Sequence, residues 1–172
     1  MASDLKPAIT KRSLPLIRAN QRGVTMEYSA HGRYVIEQKN NILLIDAHGP
    51  FNEVTAKKYH QDIKQLTEQM SGEPWGSLIT FRGNSIFTPD AEKQLKETTQ
   101  YRQKKGMIAI AVVILNSAYA DMQQMQLQRI YHHCQIEFHV FSDSESATDW
   151  LNGFIEQAIL LKNKQRKTVR VN

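Results

Sequence analysis

Met107-Ile108-Ala109-Ile110-Ala111-Val112-Val113-Ile114-Leu115 is the longest apolar run in the chain, and its reading decides the fold. Nine residues are too few for a spanning helix, which needs about 20. The run is rich in β-branched residues and carries no polar alternation, so it reads as a strand covered on both faces, at the centre of a sheet. Gly106 stands immediately before it and Asn116-Ser117 after it. The run therefore enters from one helix and leaves into another.

Upstream, Thr88-Pro89 pairs an N-cap with a proline at the first helical position, and Asp90 and Glu92 suit the positive end of a helix dipole. That helix, 89–105, is nearly all polar and offers Ala91, Leu95 and Tyr101 for burial. Before it, Ser77 to Phe81 reads as a strand. Ala56, Tyr59, Ile63, Leu66 and Met70 recur at helical spacing after Asn52, a good N-cap, and Gly72 closes that helix. Arg33 to Gln38 and Ile42 to Ala47 form a hairpin around Lys39-Asn40-Asn41. Downstream, Ser117 caps a helix running to about His132. Ile136, Phe138 and Val140 alternate with Glu137 and His139 as a half-exposed strand. A last helix from Ser144 buries Ala147, Trp150, Leu151, Phe154, Ala158 and Leu161.

The order ββαβαβαβα predicts an α/β fold with a five-stranded mixed sheet: parallel crossovers plus one antiparallel strand from the opening hairpin. At 172 residues, one domain is expected, over 26–161, with a flexible basic extension at 1–25 and a basic tail at 162–172. The net charge of +5 divides unevenly: +4 lies in 1–25, +5 in 162–172, and −4 in the 136 residues between. A nucleic-acid-binding fold carries its positive charge on the folded face that tracks phosphates, so no specific nucleic acid is expected. The single Cys134 excludes an internal disulfide and points to a reducing, cytoplasmic setting. The folded unit is expected to start near Met26, which could itself be a translation start.

Chemical motifs are sparse. GxxxxGK[ST], GxGxxG and HExxH are all missing, so no cofactor loop is expected. His132, His133 and Cys134, with His139 nearby, are adjacent in sequence and diverge at a helix end, so no metal is expected. Gly83-Asn84-Ser85-Ile86-Phe87 resembles a nucleophile elbow without its last glycine. Ser85 reads first as part of a connecting loop, next as an exposed hydroxyl open to modification or a partner, and least as a nucleophile. His48 should lie near it if their strands are parallel neighbours. No catalytic residue is assigned.

The hairpin, three αβ units and closing helix resemble the STAS domain, in particular its SpoIIAA-like branch of small stand-alone bacterial proteins. The resemblance rests on Asn41-Ile-Leu-Leu-Ile-Asp-Ala-His-Gly-Pro50, Trp75-Gly-Ser-Leu-Ile-Thr-Phe81, Thr88-Pro89, Lys105 to Val113 and Phe141 to Leu151. It implies a non-enzymatic regulatory module that docks a protein partner through the Ser85 loop, with Asn84 and Thr88 beside it, and through the following helix. Members of the family are switched by serine phosphorylation in an Asp-Ser-Ser-Gly-like loop, a sequence this loop lacks. The branch is also similar to CRAL-TRIO lipid carriers. The alternative expectation is therefore an apolar-ligand or lipid-binding protein at a membrane surface, with Met122, Met125, Trp150 and Phe154 as pocket walls. The strand over Ile136–Phe141 would permit sheet-edge dimerisation, so monomer and homodimer both stay open.

Overall fold

The structure, a computed structural model, describes residues 25–29, 31–70 and 72–169. Six strands form one sheet in the order of the sequence: β1 (Thr25–Ser29), β2 (Gly32–Lys39), β3 (Ile42–His48), β4 (Trp75–Arg82), β5 (Met107–Leu115) and β6 (Glu137–Phe141). The helices are α1 (Glu53–Thr67, followed by a 3-10 turn at Glu68–Met70), α2 (Pro89–Lys104), α3 (Ala120–Cys134) and α4 (Ser144–Val169).

β1, β2 and β3 are antiparallel, and β3 through β6 are parallel. The expected mixed α/β sheet is therefore present with all five of its strands, and β1 adds a sixth by pairing Met26 with Val35. Asn40 turns the hairpin in the left-handed region (φ 53°), which asparagine tolerates better than most residues.

Each parallel crossover moves one strand further in the same direction, so crossovers of one hand place α1, α2 and α3 on one face. Ile63, Leu95, Leu127 and Ile130 of these helices pack with Ile36, Leu43, Ile45, Ile79, Ile110 and Val112 of the sheet. α4 covers the other face, where Ala147, Leu151 and Ile155 meet Leu78, Ala109, Ala111 and Val113. Ala109 through Val113 of β5 are entirely buried, as a central strand requires. The small residues on one face of β5 and at Gly76 let α4 approach closely. A Cβ at Gly76 would stand 2.7 Å from the Leu151 side chain.

Two boundaries differ from expectation. Ser117 does not cap α3: it accepts from the Tyr119 N–H at 3.2 Å, and the helix starts at Ala120. The basic segment expected as a tail continues α4 to Val169, and Lys162 reaches the Gly72 carbonyl and Glu73. The expected extension at 1–25 lies, apart from Thr25, outside the described residues. A third difference concerns α2, which buries Thr98, Thr99 and Arg102 where Tyr101 was expected.

Candidate functional site

Open parallel sheets leave their crevices at the carboxyl ends of the strands, where the connections to the helices converge. Here three such connections meet: 49–52 after β3, 83–88 after β4 and 116–119 after β5. β3 and β4 are in register with His48 opposite Arg82, so the His48 and Ser85 loops are neighbours, as expected.

Ser85 does not present an exposed hydroxyl. It is fully buried, donates to the Arg82 carbonyl at 2.7 Å and accepts from the Gly49 N–H at 2.8 Å. Those two bonds fasten one loop to the next, and neither involves His48. His48 instead lies against Gly83, where an added Cβ would stand 3.3 Å from its ring and where φ of 63° independently favours glycine. The Gly49–Ser85 approach is closer still, since a Cβ on Gly49 would fall 2.6 Å from the Ser85 Cα.

The remaining ties make the rim a preformed unit. The Phe51 N–H donates to Ile86 O at 2.8 Å, and the Thr88 N–H donates to Phe51 O at 3.0 Å. The Gly83 N–H donates to Leu115 O at 2.8 Å. Asn84 is exposed, yet its Oδ1 accepts from the Ala118 N–H at 2.9 Å. Thr88, also exposed, caps α2 by accepting from the Ala91 N–H at 3.3 Å. Gln126 on α3 mimics a strand partner: Oε1 accepts from the Phe87 N–H at 3.0 Å and Nε2 donates to Phe87 O at 2.9 Å.

Beside this rim α3 carries an apolar patch. Tyr119, Met122 and Met125, spaced by three residues along one helix face, are 51%, 51% and 59% exposed. Arg129 and Glu92 pair at 2.6 Å and lock α3 to α2. Met122 and Met125 therefore do not fill the core. Trp150 and Phe154 on α4 pack as tilted rings with centroids 5.1 Å apart, with Phe141 5.5 Å from Trp150. The sheet separates the two pairs, so the four residues do not wall one pocket, because α3 and α4 pack on opposite faces.

Beneath α1 and α2 the larger core layer holds an apolar cavity of about 40 Å³ lined by residues including Tyr34, Tyr59, Phe51, Phe81, Leu95 and Tyr131. A more open groove of about 350 Å³ lies on the α4 face, between Glu37, Asp46, Arg82 and Thr148. Asp46 and Arg82 pair across it at 2.8 Å. His132 packs on Phe138, while His139 stands at 6.0 Å from Trp150 on the opposite face. Among the described residues no three His, Cys, Asp or Glu side chains gather to hold a metal. Cys134 Sγ donates to Lys96 O at 3.6 Å, and burial pushes its thiol pKa up, which keeps the unreactive thiol form.

Sequence reasoning singled out the 83–88 loop but missed Gln126, whose partner lies 39 residues away. A lone glutamine in a Met/Gln-rich helix carries no local signal for such a pairing. No family model, no curated protein and no solved structure matches the chain. Among the described residues no helix is long and apolar enough to cross a membrane.

Proposed function

We propose that the chain is a non-enzymatic, cytoplasmic regulatory module of the STAS/SpoIIAA-like type, which docks a protein partner with its carboxyl-end rim. Asn84 and Thr88 supply polar contacts, the polar outer face of α2 extends the surface, and Tyr119, Met122 and Met125 supply the apolar anchor. The observation that carries this reading is the exposure of those three side chains beside a loop fastened from several directions. A rim already held in place loses little freedom on binding, so more of the contact energy remains as affinity. Exposed methionines adapt their shape to a partner surface. Ser85 is a positioning residue here, because a phosphoryl group on its buried oxygen would break both bonds that hold the rim. The lipid-binding alternative loses support to the small core cavity and to the sheet between its expected walls.

The test is photo-cross-linking in cells with a benzophenone side chain placed in turn at 119, 122 and 125, and at Glu156 on the opposite face. One discrete protein adduct shared by the three rim positions, and missing at Glu156, is the expected result. It should vanish when Met122→Glu and Met125→Glu are combined in a chain of unchanged melting temperature. Equal labelling at Glu156, or no adduct at any rim position, would remove the proposal.

A further inference from the structure

On its α4 side the sheet is covered unevenly. α4 packs on β4, β5 and β6, which leaves this side of β2 without a covering helix among the described residues. The groove of about 350 Å³ lies over β2, β3 and β4. Strand register aligns its floor in two rows across those strands: Glu37, Leu44 and Leu78 in one, and Val35, Asp46 and Thr80 in the other. Val35 and Leu44 are only half-buried. Ser144 and Thr148 of α4 form a wall. Asp46 is paired with Arg82, but Glu37 enters no ion pair among the described residues. Incompletely covered aliphatic surface therefore adjoins a carboxylate without an opposite charge.

Residues 1–24, which lie outside the described residues, lead directly into this corner. Thr25 pairs with Ile36, so the chain enters β1 beside Val35 and Glu37. Residues 1–24 carry Lys6, Lys11, Arg12, Arg18 and Arg22 against Asp4, a balance of +4 beside the −4 of residues 26–161. Their densest aliphatic cluster is Leu14-Pro15-Leu16-Ile17, directly before Arg18. At the usual strand spacing β1 and β4 are about 15 Å apart. The seven residues from Arg18 to Thr25 span about 23 Å when extended, so the cluster can reach the groove. We propose that residues 14–18 of the same chain occupy this groove, with Leu16 and Ile17 on Val35 and Leu44 and Arg18 beside Glu37. Burial of the aliphatic groups favours docking, and the guanidinium–carboxylate contact fixes its register. A short tether holds the segment at an effective concentration of about millimolar, so a small contact area suffices. This site lies on the α4 side of the sheet and does not depend on the docking rim.

Photo-cross-linking of the purified full chain, with a benzophenone side chain at Ser144 or at Thr148, tests the proposal. Glu156, further along α4, serves as the comparison. Tryptic mass spectra should show the adduct on the peptide of residues 13–18, from both groove positions and not from Glu156. A mixture of isotopically light and heavy protein should give adducts within single chains only. Leu16→Asp combined with Ile17→Asp should lower the yield at least fivefold, and Glu37→Lys several-fold, in chains of unchanged far-ultraviolet circular dichroism. The proposal is overturned if neither groove position labels residues 13–18, if Glu156 labels them equally, or if the adducts join two chains. It is equally overturned if the Leu16/Ile17 double variant cross-links as well as the wild type. Unchanged yield in a folded Glu37→Lys chain overturns it too, and should that chain fail to fold, the Leu16/Ile17 variant decides.

Discussion

At the scale of single residues, Ser85 and His60 show how a hydroxyl and a ring that look like surface chemistry are held by contacts within the fold, Ser85 fully buried and His60 half-buried. Ser85 was the natural candidate for a modified loop, and the structure uses its one oxygen as both donor and acceptor between two backbones. Ser85→Ala leaves the Gly49 N–H without its acceptor, and a denaturant midpoint should report a loss of about 1–2 kcal/mol. His60 on α1, which lies outside the apolar stripe of that helix, bonds Thr98 Oγ1 at 2.8 Å and stands at 5.8 Å from the Tyr101 ring. Burial depresses its pKa, Lys64 adds to the effect and Glu97 opposes it. The unfolded chain therefore takes up this proton first. The contribution of His60 is fully present above the ordinary histidine value, about 6.5, and is lost as pH falls through the lower folded value. Between pH 7 and 5 the wild type should lose melting temperature more steeply than His60→Gln. Parallel curves would contradict this assignment.

At the scale of elements, helical and strand periods identified the parts, and neighbouring elements decided where the parts stop. The stripe Ala56, Tyr59, Ile63, Leu66, Met70 was legible as a helix, and the structure closes its last residue into a separate 3-10 turn. β1 was not legible as a strand: five residues on the outer edge of the hairpin carry too short an alternation to stand out. α4 outruns its apolar stripe by residues 162–169, whose composition alone reads as a solvated tail. Part of the reason is tertiary, since Lys162 and Arg166 both reach Glu73 in the turn before β4. Both are partly exposed pairs, which are individually worth at most about 1 kcal/mol. Truncation after Leu161 should thus remove helical circular dichroism while moving the melting temperature by only a few degrees. A large drop would mean that the extension is part of the core.

At the scale of the whole molecule, two unequal layers share one sheet. Among the described residues α4 alone covers its face, and Leu151 is the fully buried side chain that fits above Gly76. Leu151→Ala should cost about 2–5 kcal/mol, because a single covering helix has few neighbours that can close the gap. Substitution of an exposed residue such as Glu156 should change little by the same measurement. The sequence by itself determined the class of fold, the central strand, the hairpin, the four helices and the loop that carries Asn84, Ser85 and Thr88. All of these are written in patterns a few residues long. Only the tertiary structure decided that Ser85 faces inward to Gly49, that Gln126 pairs with Phe87 and that Arg102, rather than Tyr101, enters the core. The partners in those contacts lie 25 to 39 residues apart or on different elements, so their chemistry exists only once the crossovers have brought them together.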